Sequence, residues 1–120
     1  MEFNQQENNQ NSIISVENNT VRLAHTKLNT PCFISSNYFC EVDINSLDDI
    51  SKTSLFPLAN KDNINLLIIG TGTTSKFLHP KQQVLIQQMG VGTETMNSEA
   101  ACRSFNLLLS DARPVGIVLL

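Results

Sequence analysis

The sequence predicts a mixed α/β fold, in which a parallel β-α-β-α-β C-terminal half follows an N-terminal part made of antiparallel hairpins. Three observations point there. Leu66 to Ile69 is continuously apolar and closes at Gly70, the pattern of a strand covered on both faces in a parallel sheet. Two stretches with helical start and stop signals follow, separated by the short β-like VGTETM. Upstream of residue 45 the texture changes to period-two alternation interrupted by turn residues, which is the mark of half-buried antiparallel strands.

Each element has its own local reason. Residues 1–11, rich in Asn and Gln, hold too little apolar surface to offset the entropy of ordering, so a disordered polar tail is expected ahead of a single domain over 12–120. In IISVENNTVRLAH two β-rich runs flank Asn18-Asn19, and asparagine tolerates the positive φ of a tight hairpin turn. Pro31 opens the next strand-like stretch and Ser36-Asn37 marks a turn. After it Tyr38, Cys40, Val42 and Ile44 alternate with Phe39, Glu41 and Asp43, one face buried and one wet. Ser46 with Asp49 three residues on predicts a capped short helix ending before Pro57. After Gly70, Pro80 suits a first helical position and Gly90 a left-handed stop, with Val84, Leu85, Ile86 and Met89 as an apolar stripe between them. Asn97 is the expected N-cap of a last helix, Ser98 to about Leu109. The closing PVGIVLL has the apolar character of a central strand, since each Leu or Ile left in water costs about 1.5–3 kcal/mol relative to burial.

Bulk properties narrow the function. With 120 residues the chain can build one core. A formal net charge of -3, with Lys and Arg scattered, lacks the basic face that nucleic acid requires. Cys32, Cys40 and Cys102 form no C-x-x-C pair and stand far in sequence from His25 and His79, so they read as small buried hydrophobes, and neither a metal nor a cofactor is expected. No apolar run approaches the ~18 residues of a membrane span. From the polar start MEFNQQENNQNS neither a secretory signal nor a transit peptide is expected, and the expected location is the cytoplasm, free or peripheral to the inner membrane.

The stretch LLIIGTGTTSKF raises the question of a phosphate loop. Gly70 and Gly72 begin a G-x-G-x-x-G, but Ser75 takes the third glycine position. Gly70 and Lys76 fit the Walker spacing, yet Ser75 replaces the inner glycine and Phe77 the magnesium-binding hydroxyl. The next helix starts only at Pro80, too late for its amides to face a phosphate held by Gly70–Gly72. The glycines therefore read first as a sharp exit from a buried strand. If the strands at Leu66–Ile69 and Val91–Met96 run parallel, this loop meets the start of the helix at Ser98, on the edge where open α/β sheets bind ligands. On that helix Glu99, Arg103 and Asn106 form one narrow polar seam in an otherwise apolar wheel. The seam is either a solvent face with an i,i+4 pair or, with Glu94 and the hydroxyls of Thr71, Thr73 and Ser98, an anchor for a carboxylate, phosphate or partner protein. No Ser/His/Asp set forms and Cys102 falls on the apolar side, so no catalytic residue is assigned.

LLIIGTG leading to FLHP, then GVGTETMNSEAACRSFNLLLSDARPVGIVLL, resembles the small Mth938-like proteins, formerly a domain of unknown function, among which is a mitochondrial assembly factor of NADH dehydrogenase (complex I). The resemblance covers roughly residues 13–120 and is densest from Leu66 onward. Its signature falls on Gly70, Gly72, Glu94, Met96, Ala100, Ala101, Arg103 and Asn106. It implies a three-layer α/β fold with a mixed central sheet, and a non-enzymatic role that in the mitochondrial members is assembly of complex I at the inner membrane. Without a transit peptide this chain is similar to a bacterial-type member. Two functions are thus expected: a binding or assembly protein whose partners include respiratory-complex assembly machinery or a second copy of itself, or a small anionic-ligand protein or enzyme. Both would use the same edge, with Gly70, Thr71, Gly72, Thr73, Glu94, Ser98, Arg103 and Asn106 as its residues.

Overall fold

The computed structural model describes residues 2–3 and 11–120. Its elements, in chain order, are β1 (Ser15–Glu17), β2 (Thr20–Arg22), β3 (Lys27–Asn29), β4 (Cys32–Ser35), β5 (Phe39–Glu41), a 3₁₀ turn (Leu47–Asp49), α1 (Lys52–Ala59), β6 (Leu66–Gly70), α2 (Pro80–Gln87), β7 (Gly92–Met96), α3 (Ser98–Ser110) and β8 (Val115–Leu119). β1, β2 and β3 form a small antiparallel sheet, while the main sheet has the order β5-β4-β8-β6-β7. β6 runs parallel to both β7 and β8, and β4 runs antiparallel to β8 and β5. The mixed sheet expected from the sequence is present, with the parallel C-terminal half joined to the hairpin half through β8.

Strand parity sorts the core into two clusters. On one face Ile34, Ile68, Val115, Ile117 and Leu119 meet Ala101, Cys102, Phe105 and Leu109 of α3 and Val21 and Leu28 of the small sheet. On the other, Phe33, Leu67, Ile69 and Val118 meet Leu55 and Leu58 of α1, Leu78, and Ile86 of α2. The result is three layers: helix plus small sheet, main sheet, helix pair.

Several local predictions hold. Asn18 and Asn19 take φ of 51° and 64° in the β1–β2 turn. His79 caps α2, its Nδ1 accepting the Lys81 N–H at 3.1 Å, and Pro80 is the first residue of that helix. Asn97 Oδ1 accepts the Ala100 N–H at 2.9 Å at the start of α3. Others need correction. The helix expected from Ser46 is only a 3₁₀ turn, because Asp49 Oδ2 accepts the N–H of Asn45 at 3.1 Å and Ser46 makes no side-chain cap. The true cap is Ser51, whose hydroxyl accepts the Ser54 N–H at 3.1 Å while Ser54 Oγ accepts the Ser51 N–H at 2.9 Å. α1 also contains Pro57 instead of ending before it. In so short a helix on the surface, the carbonyl that Pro57 leaves unbonded can turn to water. The α2 stripe divides: Ile86 is fully buried but Val84 and Leu85 are 56% and 48% exposed.

Of the expected tail, Met1 and residues 4–10 lie outside the described residues. Glu2 bridges Ser15, the Phe3 N–H donates to the Ile14 carbonyl at 2.8 Å, and the buried Asn11 amide donates to the Ser35 carbonyl at 2.7 Å. Folded contacts thus begin ahead of residue 12.

Candidate functional site

β6 and β7 are parallel in register Gly70↔Met96, so their C-terminal ends share one edge, and the chain enters α3 there. Gly70 is needed for close approach: a Cβ on it would stand 2.6 Å from Leu119 Cδ2 and 3.1 Å from the Ser98 Cα. Gly72 has φ +85°, a left-handed turn that favours glycine. The loop between them is fastened to the helix start. Gly72 N–H donates to Ser98 Oγ at 2.8 Å, Ser98 N–H donates to the Gly72 carbonyl at 2.8 Å, and Thr71 N–H donates to the Met96 carbonyl at 3.0 Å. Thr71 Oγ1 closes the turn by donating to the Thr74 carbonyl at 2.7 Å.

This arrangement bears on the phosphate question. The Ser98 and Ala100 amides of α3 already donate to Gly72 and Asn97, and the Gly72 amide to Ser98. The donors an anion would use at a helix N-terminus are largely occupied by the protein itself.

Beside the loop lies a cleft of about 500 Å³ between the main-sheet edge and the small sheet. Val16, Leu119 and Leu120 give it apolar surface; Asn18, Asn19, Thr30, Thr73, Asn97 and Ser98 give amide and hydroxyl groups; among the described residues Glu99 is the one charged side chain of the lining. Sequence reasoning placed Gly72, Thr73 and Ser98 at this edge and missed its opposite wall. The Asn18-Asn19 turn was visible, but not that the hairpin folds across to face residues 72 and 73. Among the described residues no Lys or Arg lines the cleft.

The other expected site residues part company. Arg103 is exposed and donates through NH1 to Glu99 Oε1 at 2.6 Å, the i,i+4 pair of a solvent face. Glu94 is exposed on β7. Asn106 lies about two turns along α3 from Glu99, away from the loop: its Oδ1 accepts the Ile13 N–H at 2.8 Å and its Nδ2 donates to the Ile13 carbonyl at 2.9 Å, so both halves of the amide hold the N-terminal segment in place. Thus Gly70, Thr71, Gly72, Thr73 and Ser98 come together, Glu99 joins them with Arg103 in tow, and Glu94 and Asn106 lie apart.

Burial pushes the Cys32 and Cys102 thiols up to about 12, which keeps them protonated at neutral pH. Among the described residues no three His, Cys, Asp or Glu side chains converge on a common point, and no helix is long and apolar enough to cross a membrane.

Comparison with known proteins gives this geometry a family. Among curated relatives, the assembly factor 3 of the NADH dehydrogenase [ubiquinone] 1 alpha subcomplex from Mus musculus is 28% identical over 92 residues, 75% of this chain and 49% of the mouse protein. The chain therefore spans about half the length of that relative. A 13 kDa major membrane protein of Francisella tularensis subsp. holarctica is 30% identical over 96 residues, covering 77% of this chain and 76% of that one. The solution structure of a Mth938-like domain protein from Bordetella pertussis superposes with a TM-score of 0.78 at 20% identity, over 98% of this chain and 90% of the other, which shows a shared fold. A family model described as "Protein of unknown function (DUF498/DUF598)" matches residues 13–120. Signature loop, layered fold and matched span agree, and the chain belongs to this family of Mth938-like proteins.

Proposed function

We propose that this protein is a non-enzymatic binding module of the assembly-factor kind, which holds a segment of a partner protein in the cleft between the β1–β2 turn and the loop at Gly72–Thr73. The observation that carries the reading is the lining of that cleft. Apolar surface from Val16, Leu119 and Leu120 under a rim of amides, hydroxyls and Glu99 suits an apolar or basic side chain of a polypeptide. The hydrogen bonds between Gly72 and Ser98 keep the wall preorganised, which lowers the cost of binding. Similarity to proteins named for assembling NADH dehydrogenase supports respiratory-complex assembly machinery as the class of partner.

The test is genetic and biochemical together. Cells lacking the protein should show less assembled NADH dehydrogenase on native gels, and the wild-type gene should restore it. A Thr73→Arg variant, which puts a long cation into the cleft, should fold normally and fail to restore it. Full assembly in the deletion strain would overturn the assembly reading; rescue by a folded Thr73→Arg would overturn the cleft.

A further inference from the structure

The main sheet has two edges, and they are treated differently. At β5, Glu41 Oε2 accepts the Asn29 N–H of β3 at 2.8 Å, so the small sheet covers that side. At β7 no strand among the described residues lies beyond. Backbone parity then decides which groups are open. The Gly92 N–H donates to the Asn65 carbonyl at 2.9 Å and the Met96 carbonyl accepts from Thr71 at 3.0 Å, both on the β6 side. Alternation along a strand therefore turns the N–H and C=O of Thr93 and Thr95 outward, a free row of donors and acceptors.

Side-chain parity describes what flanks this row. Glu94 shares a face with Met96, whose sulfur accepts the Ser104 hydroxyl of α3 at 3.6 Å. Three residues further along the same flank of α3 stands Leu107, 62% exposed. Among the described residues no ion pair or hydrogen bond engages Glu94. An open edge thus has a lone carboxylate at mid-strand and an exposed leucine on the helix alongside.

We infer that β7 is a docking edge for an extended segment of a partner protein, which adds to the sheet as a further strand, with a Lys or Arg beside Glu94 and an apolar side chain against Leu107. Main-chain hydrogen bonds to Thr93 and Thr95 give the attachment, and the charge and the leucine give the selectivity. A second copy of this chain is a poorer occupant. The antiparallel register that pairs all five residues of β7 with its twin sets Glu94 directly against Glu94, and like charges in that position destabilise a sheet. The inference shares with the proposed function only the premise that partners are polypeptides; it uses a different surface from the cleft.

The experiment uses the full chain and two short synthetic peptides of alternating threonine and valine, one with a central lysine and one with a central glutamate. Amide hydrogen exchange is followed residue by residue, and peptide binding by fluorescence anisotropy. The lysine peptide should slow exchange at Thr93 and Thr95. It should bind roughly three- to tenfold more tightly than the glutamate peptide, as expected for a cross-strand charge pair exchanged for a like-charge pair. Glu94→Lys, an exposed change, should reverse the preference, while Thr73→Arg in the cleft should leave both unchanged. Lack of protection at the two threonines, or a preference indifferent to Glu94→Lys, would show that the carboxylate merely guards the edge and would overturn the proposal. Protection of both amides in peptide-free protein of dimeric mass would overturn it in favour of self-pairing.

Discussion

Replacing Asn106 by alanine separates a structural from a recognition role at the one seam residue that the structure moves away from the edge. Its amide makes two hydrogen bonds, 2.8 and 2.9 Å long, to the main chain of Ile13, a residue with a fully buried side chain 93 positions away. Each bond contributes about 1 kcal/mol net, and removing one partner also leaves the N–H and C=O of Ile13 unsatisfied, which raises the loss to about 2–3 kcal/mol in total. At this chain length 1 kcal/mol corresponds to roughly 3–6 °C, so the midpoint should fall by about 10 °C. Urea unfolding followed by far-ultraviolet circular dichroism reads the change as a lower midpoint at unchanged slope. Arg103→Ala is the control, because its exposed pair with Glu99 should be worth only about 0.2–0.5 kcal/mol. A loss below about 0.5 kcal/mol in Asn106→Ala, within the range of ordinary surface substitutions, would refute the clamp. Retained stability together with lost partner binding would return Asn106 to the recognition surface where its sequence position first placed it.

Two further outcomes test the packing and the charge. Gly70→Ala should cost about 1–3 kcal/mol in urea unfolding, since the added methyl would meet Leu119 at 2.6 Å and Leu119 is itself 1% exposed; a neutral substitution would deny the close approach of α3 to β6. Asp62 governs part of the acid response. Burial works to raise its pKa, but the Ser35 hydroxyl and the backbone and side chain of Asn37 outweigh it and hold the carboxyl below the usual 3.8. A depressed folded value means that the stabilisation is complete above the unfolded value and is lost as pH falls through the folded one. The urea midpoint should therefore decline below about pH 5, less steeply in Asp62→Asn than in the natural protein. Parallel acid limbs would exclude Asp62 as a contributor.

What could be read in advance was whatever local chemistry decides. The run from Leu66 to Ile69 has no polar residue to spare for solvent, so it had to be covered on both faces, and β6 is. Asn97, His79-Pro80 and Asn18-Asn19 act within three or four residues of themselves, and each does what its side chain allows. The failures lie where two local solutions competed or the partner was distant. Ser46 reads as the cap in the sequence, whereas the reciprocal bonds between Ser51 and Ser54, five residues on, start the helix instead. Val84 and Leu85 fit a helical stripe, but α2 buries only the side that carries Ile86. Asn106 fitted a polar seam by angle alone, and nothing near it in sequence pointed to Ile13. The cleft was half legible for the same reason: the glycine loop and helix start announce themselves, while the hairpin opposite is delivered by tertiary folding.

β8 comes after every other strand in the described chain and yet sits at the centre of the main sheet, with β4 on one side and β6 on the other. It is the seam between two halves that otherwise share no strand pairing. Until Val115–Leu119 is in place, the hairpin half and the parallel half each carry an unsatisfied inner border, and a fragment stopping at Asp111 would expose both. The two halves of the main sheet are therefore coupled through these five residues, late in the described sequence but innermost in the sheet.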